Sequence, residues 1–483
     1  MSVATSKTST IVYFIMAAFY LSVFILANTV IGFNIYLYLF CLVGAGVFIY
    51  LKPVVGLYLI VFLTMIFERF FTLTPIIVNR ATYKFYPLDL LLLITLAIVF
   101  IKKPLAARWL PLYQANKKLF WSLGIFFLIL LANLIRAVVV QGDLDNAISV
   151  VKNYMFYSLV YLITIQLINT ATRYQELLQV MLLATLVILV IFLFGLITGQ
   201  GVLTQFIPLS TYGTRYLGGS HSFYITIIII LLFSHLVYEQ RMVKSWPLFL
   251  HGLVLLFCLL ALVLSLLRHL WLGVFLGLFF MALVYPVKQK IKLGKILGTV
   301  ALVALLGFGS LVVVNKWQQA TGLATSDVLS SLTIRAQSII QFNFTDESAV
   351  WRTESWKAAL QIWTKQPVFG LGIVNKITVE LFGWQSEILP RDLHNDFVAI
   401  LLQTGIIGLL AWWWFILEIS KWFVQQFRQV SISEKKQLIE ITAIIGLFLF
   451  SANFGTYFDI NLLVIFFWLF LGLQHNYSSI TKA

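Results

Sequence analysis

The chain has 483 residues, of which 61% are hydrophobic and only 11% are charged, and its formal net charge is +15. Soluble globular domains have about 25% charged residues, so this composition excludes that class and predicts a protein that lies in lipid. The lysines cluster beside apolar runs, where attraction to anionic lipid explains the positive charge. The sequence therefore predicts no nucleic-acid partner.

Apolar runs of about 20 residues, the length of helix that crosses a bilayer, recur along the whole chain. They predict an all-α polytopic membrane protein with about 12–14 transmembrane helices and one long outer (periplasmic) loop. The predicted spans are Ile11–Thr29, Ile35–Leu51, Val54–Phe67, Leu88–Ile101, Leu119–Ala137, Val150–Ile168, Leu177–Ile197, Phe223–Tyr238, Pro247–Leu264, Leu270–Tyr285, Ile296–Val314, Phe397–Ile416, Leu438–Phe454 and Ile460–Leu473. The first is long enough to span, so we expect it to be retained and not cleaved as a signal peptide.

The distribution of lysine predicts the orientation. With both termini in the cytoplasm, most lysines fall in short inner loops, as the positive-inside rule requires. We predict transmembrane helices over residues 1–314, an outer (periplasmic) loop with an amphipathic helix over residues 315–396, and C-terminal transmembrane helices over residues 397–483. Cys41 and Cys258 fall in separate spans, so we expect buried packing residues there and neither a disulfide nor a metal site.

Arginines are concentrated on the predicted outer side, where membrane insertion does not require them. They are Arg69, Arg80, Arg136, Arg215, Arg268, Arg335, Arg352 and Arg391. A guanidinium group is always charged and binds phosphate with two parallel hydrogen bonds, so the cluster indicates an anionic, phosphate-bearing ligand. Pairing with carboxylates or with lipid headgroups is the alternative interpretation.

Two of these arginines have distinctive surroundings. Arg268 interrupts an apolar run with no turn residue nearby, and a charge that close to hydrocarbon is typical of a functional residue. Arg352 continues, at helical spacing, an apolar stripe that contains Trp356 and Trp363. It should face the membrane or a cavity, although an amphipathic helix lying on the bilayer would also place an arginine there.

His394 is the candidate base. It ends the long outer loop, in the segment Arg391-Asp392-Leu393-His394-Asn395-Asp396, and directly precedes a predicted span. A neutral imidazole at such a position can accept the proton of a hydroxyl group near neutral pH, and Asp392 or Asp396 could orient it.

In their order along the chain, these motifs resemble the bacterial O-antigen ligase and polysaccharide polymerase superfamily of lipid-linked glycan transferases. Residues 394–397 (HNDF), followed by 401–408 (LLQTGIIG), are similar to the family's histidine motif and the glycine-containing span after it. Arg352 with Trp356, and then the turn 367–372 (PVFGLG), resemble its Arg-Trp helix and Pro-x-x-Gly-x-Gly turn.

Two further segments extend the resemblance. Residues 265–268 (SLLR) are similar to the family's Ser-x-x-Arg segment, although many members have a small residue where Leu267 and His269 stand. Arg215, followed by Gly218 and Gly219, resembles another family element. The resemblance covers roughly residues 212–408.

The resemblance implies a helical, GT-C-like fold with a periplasmic loop over the active site, in a bacterial cytoplasmic (inner) membrane. It implies an undecaprenyl-pyrophosphate-linked glycan donor and a glycan or lipid A-core acceptor. Arg268, Arg352 and Arg215 would bind the pyrophosphate, and His394 would be the base of an inverting transfer. Arg391, Asp392 and Asp396 are possible supporting residues. Because arginines would neutralise the leaving group, we expect no metal or other cofactor.

Other interpretations stay open. Asp143 and Asp145 could hold a divalent cation that neutralises the same charge. A flippase or transporter of lipid-linked sugar would also need many spans and membrane-embedded arginines, although no internal repeat is visible. A peptidoglycan-type polytopic glycosyltransferase would be expected to use an outer carboxylate in place of His394. Ligase and polymerase are nearly balanced, with a slight preference for polymerase because of the number of spans.

Overall fold

The structure of the protein is a computed structural model. It describes residues 10–31, 34–68, 71, 76–78, 81–83, 86–102, 113, 116–198, 207–208, 214–215, 217–243, 245–320, 347–381, 384–430 and 435–481. In some of these ranges, among them residues 214–215 and 306–320, the description covers the backbone only.

The described chain is built mainly from helices. In chain order they are α1 (Thr10–Ile31), α2 (Ile35–Leu51), α3 (Val54–Phe67), α4 (Pro87–Lys102), α5 (Lys117–Arg136), α6 (Leu144–Met155), α7 (Leu159–Leu167), α8 (Ala171–Thr198), α9 (Gly219–Val237), α10 (Leu248–Leu264), α11 (Arg268–Val284), α12 (Val287–Ala320), α13 (Glu347–Trp363), α14 (Asp396–Gln429), α15 (Lys435–Ser451), α16 (Asn461–His475) and α17 (Tyr477–Thr481). A π-helical turn (Ala137–Gln141) extends α5, and a 3₁₀ turn (Phe156–Ser158) joins α6 to α7.

Three short antiparallel hairpins complete the described part of the fold. Their strands are β1 (Ile76–Val78) with β2 (Ala81–Tyr83), β3 (Ile207–Pro208) with β4 (Thr214–Arg215), and β5 (Ile377–Leu381) with β6 (Trp384–Ile388). In the third hairpin Ile377 pairs with Ile388 and Leu381 with Trp384. This hairpin connects the loop after α13 to the segment that carries His394.

Every predicted span coincides with a helix, or with the joined pair α6 and α7. Two bounds differ by more than two turns, because α12 begins at Val287 and not at Ile296, and α14 continues to Gln429 and not only to Ile416. Among the described residues, 6 helices are long and apolar enough to cross a membrane by length and composition, and several shorter apolar helices accompany them. The prediction of an all-α polytopic membrane protein is confirmed. The three predicted regions, with boundaries at residues 314 and 396, stay a prediction.

The core of the bundle contains helices that are apolar on every side. All residues of α3 and of α16 are buried, as are nearly all residues of α9. A helix that is hydrophobic all round is stable only when other helices or lipid surround it. Conversely, Phe19 and Tyr36 on α1 and α2 are 71% and 81% exposed, and they lie where a bilayer would cover them.

Helix α14 is interrupted at Gly405, which has φ +67° and ψ −169°. The turn 366–372 lies against this break and supplies the missing hydrogen-bond partners: Ile406 N donates to Pro367 O (2.9 Å), and Leu371 N donates to Leu402 O (2.8 Å). A Cβ atom at position 405 would lie 2.1 Å from Val368 O, so glycine is required. Backbone groups freed inside a membrane helix must be satisfied by protein, and this turn satisfies them.

Contacts between distant segments define one end of the bundle, called the His394 end below. Arg391 Nη2 donates to Ser149 Oγ on α6 (3.3 Å), Asn153 Nδ2 donates to Asp459 Oδ1 before α16 (2.9 Å), and Lys152 Nζ donates to Asp89 Oδ2 on α4 (2.8 Å). The first turns of α4, α14 and α16 therefore lie at this end, and the last turns of these helices lie at the opposite end.

Candidate functional site

The backbone on both sides of His394 is fixed. Pro390–Leu393 form a single 3₁₀ turn, and His394 follows in the left-handed region, with φ 51° and ψ 36°. Asn395 then caps α14, because its Oδ1 accepts hydrogen bonds from Phe397 N (3.0 Å) and Val398 N (3.1 Å). A non-glycine residue in this region costs about 1–2 kcal/mol, so the surrounding contacts must hold His394 in place.

One such contact comes from α13. The indole Nε1 of Trp356 donates to Leu393 O at 2.8 Å, and Leu393 itself is fully buried. Five residues earlier on the same helix, the ring of Trp351 meets the imidazole of His394 with its centroid at 5.4 Å and an interplanar angle of 61°. The predicted Arg-Trp helix therefore lies directly against the histidine.

The surroundings of His394 keep its imidazole neutral. Although the residue retains contact with solvent, the protein around it desolvates the ring and so lowers the pKa below its usual value of 6.5. The positive charge of Arg352 lowers the pKa further, and the negative charge of Asp392 opposes this. The carboxylate of Asp392 also accepts a hydrogen bond from Leu389 N at 3.0 Å. A neutral imidazole near pH 7 is the form that can accept a proton.

A second wall of the site comes from the loop between α15 and α16 and from the start of α11. Tyr457 Oη and His269 Nε2 are 3.0 Å apart, and the ring of His269 stacks on that of Phe454. His269 directly follows Arg268, the first residue of α11. Burial raises the pKa of Tyr457, whereas the charge of Arg352 acts in the opposite direction. The charge of Arg352 therefore acts on both Tyr457 and His394.

The turn before α11 explains how Arg268 comes to lie at the start of a helix. Leu266 is buried and has φ 58°, which ends α10 and reverses the chain. Trp271 Nε1 donates back to Leu262 O at 2.8 Å and so ties the new helix to the old one. The N-terminus of a helix carries partial positive charge, which adds to that of Arg268.

Asp396 connects two parts of the site through the backbone. Its carboxylate is buried, and Oδ2 accepts hydrogen bonds from Tyr457 N (2.7 Å) and Phe458 N (3.0 Å). Its own backbone N donates to Ala452 O at 2.9 Å. Asp396 thus holds the loop that carries Tyr457 against the first turn of α14.

Arg391 lies beside another buried carboxylate. Its Nε is 4.0 Å from Asp459 Oδ2, and both Nη atoms donate to Ser149 Oγ. Burial raises the pKa of Asp459 to about 6, although Arg391 and the hydrogen bond from Asn153 lower it. Thr456 Oγ1 donates to Arg391 O at 2.8 Å, which joins the same two loops.

Of the other predicted outer arginines, Arg136 donates to Gly370 O (2.9 Å) and to Gln366 Oε1 (3.0 Å), so it holds the turn that fills the break in α14. It also borders a cavity of about 540 Å³. The backbone of Arg215 forms part of β4, and its side chain lies outside the description. Arg69, Arg80 and Arg335 lie outside the described residues.

The alternative metal ligands are located at the start of α6. Asp143 caps this helix, accepting hydrogen bonds from Asn146 N (3.1 Å) and Asn146 Nδ2 (2.7 Å). A capping role explains why an aspartate stands at this position. Asp145 is exposed in the first turn of the same helix.

Two residues of the site were not singled out from the sequence. The sequence places His269 on the outer side and marks it as a departure from the family pattern, and no motif marks Tyr457. They are separated by 188 positions in the chain, so no local pattern predicts that they meet. The adjacency of His269 to Arg268 was the one available signal.

The fold defines this chain as a polytopic α-helical membrane protein. Within it, residues 252–413 match the model of a family described as O-antigen ligase. The match covers about a third of the chain and includes Arg268, Arg352 and His394. The resemblance to the O-antigen ligase and polysaccharide polymerase superfamily is thereby confirmed, and the match indicates a glycosyl-transferring enzyme. No curated protein matches the chain significantly.

Proposed function

We propose that the protein transfers or polymerises a glycan from an undecaprenyl-pyrophosphate carrier onto an acceptor hydroxyl, with inversion at the anomeric carbon and without a metal. The observation that carries this proposal is the contact of His394 with Trp351, which places the imidazole against the helix that carries Arg352. The positive charge of Arg352 helps to lower the pKa of His394. The reaction requires a neutral base for the acceptor proton and a fixed positive charge for the anionic leaving group, and His394 and Arg352 would supply them. Both residues lie in the segment that matches the O-antigen ligase family.

In the proposed reaction, His394 accepts the proton of the acceptor hydroxyl as its oxygen forms a bond to the anomeric carbon of the donor sugar. The bond between that carbon and the pyrophosphate oxygen breaks on the opposite face, and the lipid pyrophosphate leaves with the electron pair. Hydroxyl oxygens are poor nucleophiles at neutral pH, so a base placed in this way contributes about 10²–10⁴ in rate.

Arg268, Arg352 and Arg215 stabilise the pyrophosphate in this proposal. Negative charge builds up on the leaving oxygen, and fixed guanidinium groups near a low-dielectric boundary bind it more strongly there than in water. Arg352 has a second effect, because the same charge keeps His394 neutral before the reaction. When the pyrophosphate binds, it compensates that charge, and the basicity of the imidazole should then rise.

In this proposal Arg391, Asp392 and Asp396 position the parts of the site or adjust its charge, and they do not react themselves. Arg391 holds the turn that precedes His394 by its contacts with Ser149 and Asp459, and Asp396 fixes the Tyr457 loop. Asp392 opposes the effect of Arg352 on the pKa of His394. We therefore assign none of the three to proton transfer.

The acceptor decides between polymerase and ligase, and we retain the slight preference for polymerase. In either case we propose a bacterial cytoplasmic membrane with the His394 end on the outer face and both termini in the cytoplasm. Lysines and arginines at the opposite end, among them Lys52, Lys102 and Arg173, support this orientation through the positive-inside rule.

The test is reconstitution of the purified protein in liposomes with a synthetic polyprenyl-pyrophosphate glycan, followed by mass analysis of the products. Lengthening of the lipid-linked chain identifies a polymerase, and transfer to lipid A-core identifies a ligase. Movement of the donor across the membrane without new glycosidic bonds would contradict the proposal and favour a flippase.

A further inference from the structure

At the end of the bundle opposite to His394, a cavity of about 370 Å³ opens between several helix ends. Three basic residues line it: Lys52 between α2 and α3, Lys102 at the end of α4, and Arg173 in the first turn of α8. Among the described lining residues there is no carboxylate. The described lining therefore carries positive charge only, from three separate helix junctions. The nearby carboxylate of Glu176, on α8, accepts a hydrogen bond from Tyr58 Oη at 2.9 Å.

The local contacts of these cations explain their individual positions but not their convergence. Arg173 Nη1 donates to Leu167 O at 2.7 Å, and Lys102 Nζ donates to Tyr50 O and lies 4.2 Å from the centroid of the Tyr50 ring. Each interaction places positive charge near the C-terminal end of a helix, where the helix dipole favours it. Bringing three like charges around one cavity is unfavourable, however, and a bound anion would relieve the repulsion.

Apolar side chains beside the cations indicate what kind of anion fits. Leu51 and Ile101 immediately precede two of the lysines, and they are 51% and 76% exposed. Tyr50 is 56% exposed. These side chains neighbour the cations in the chain but do not line the cavity. A free phosphate ion would gain nothing from them, whereas the acyl chains of a phospholipid would cover them. The height of the cavity, at the ends of spanning helices, is also that of the lipid headgroups.

We propose that this cavity binds the phosphate headgroup of an anionic membrane lipid, with Lys52, Lys102 and Arg173 around the phosphate and the acyl chains against Leu51 and Ile101. Basic pockets between membrane helices bind acidic headgroups in this way. The site is at the opposite end of the bundle from His394, so it is separate from the glycan transfer proposed above. Its occupant stabilises the packing of α2, α4 and α8.

The experiment uses the full chain, purified in a neutral detergent and delipidated. Thermal unfolding is followed by tryptophan fluorescence, and retained lipid is measured by native mass spectrometry, with added phosphatidylglycerol, phosphatidylcholine or inorganic phosphate. Phosphatidylglycerol should raise the apparent Tm and stay bound, and the other two should do neither. In Lys52→Gln/Lys102→Gln, the apparent affinity for phosphatidylglycerol should fall about tenfold or more.

The matched control is Lys288→Gln/Lys290→Gln, which removes two exposed lysines from α12 at the same end of the bundle. It should retain the full response to phosphatidylglycerol. Lys102→Gln alone, a change at an exposed residue, provides a milder variant if the double variant does not fold. It should still bind phosphatidylglycerol severalfold more weakly.

Three results would overturn the proposal. An equal rise in Tm with inorganic phosphate would show a site for the free ion and not for lipid. An unchanged lipid affinity in both Lys102→Gln and the double variant would show that these lysines only stabilise the ends of their helices and do not bind lipid. Equal loss of affinity in the α12 control would show that only the general positive charge of this face matters.

Discussion

The ring of Trp351 meets the imidazole of His394 at a centroid distance of 5.4 Å, across two elements separated by more than forty positions in the chain. Trp351 precedes Arg352 on α13, so the contact brings that helix, and with it the charge of Arg352, to the histidine. The base and one proposed phosphate-binding residue are thus positioned by one helix.

The first prediction concerns the base. His394→Ala should reduce glycan transfer by about 10²–10⁴, because no other group accepts the acceptor proton in the proposed reaction. Binding of the lipid-linked donor should persist, since the arginines remain. Turnover with a synthetic donor, together with donor retention by native mass spectrometry, measures both properties. Unchanged turnover in this variant would remove His394 from the mechanism.

The second prediction concerns Arg268 and Arg352. Arg268→Lys and Arg352→Lys should each lose most of the activity, because lysine keeps the charge but not the planar set of donors that binds a phosphate in two places. Arg428→Lys, at an exposed position near the end of α14, is the matched control and should transfer at the wild-type rate. If both site variants were as active as this control, the two arginines would serve only to anchor the protein.

The third prediction is a pH dependence. The base works as the neutral imidazole, and its pKa is lowered below 6.5, so kcat/KM should rise with pH through an inflection below about 6.5 and then stay level. In Arg352→Gln the inflection should move to higher pH, because loss of the neighbouring positive charge raises the pKa of His394.

In that experiment the titration of Asp459 must be distinguished from that of His394, because the pKa of Asp459 is raised to about 6. Asp459→Asn removes its titration and should leave the inflection in place. An inflection that disappears in Asp459→Asn and does not move in Arg352→Gln would assign the pH dependence to the aspartate.

The fourth prediction is that transfer needs no metal. Guanidinium groups stay charged at working pH, so excess chelator should leave the rate unaltered. Asp143→Asn and Asp145→Asn should also retain activity, since Asp143 already has a role as a helix cap. A large loss with chelator that magnesium or manganese restores, and that the two aspartate variants reproduce, would favour the carboxylate–metal alternative.

The fifth prediction tests the break in α14. Gly405→Ala places a Cβ atom 2.1 Å from Val368 O at a positive φ, so it should destabilise the protein by about 1–3 kcal/mol or more and lower the apparent Tm. Gly446→Ala, in α15 with no atom within 4 Å of the added Cβ, is the control and should be neutral or slightly stabilising. Equal Tm values for the two variants would show that the turn 366–372 adapts freely.

The sequence by itself determined the membrane class and the position of the spans, because the length and polarity of a spanning segment depend only on neighbouring residues and on the thickness of the bilayer. The order of Arg268, Arg352 and His394 along the chain was also sufficient to indicate the family.

The tertiary structure alone decided which groups meet. The sequence predicts one continuous apolar span over Phe397–Ile416. The helix nevertheless breaks at Gly405, because the turn 366–372 supplies hydrogen-bond partners in place of those inside the helix. Likewise Tyr457 reaches His269 only because α11 and α15 pack side by side, and contacts between segments so far apart leave no periodic signal in a single sequence.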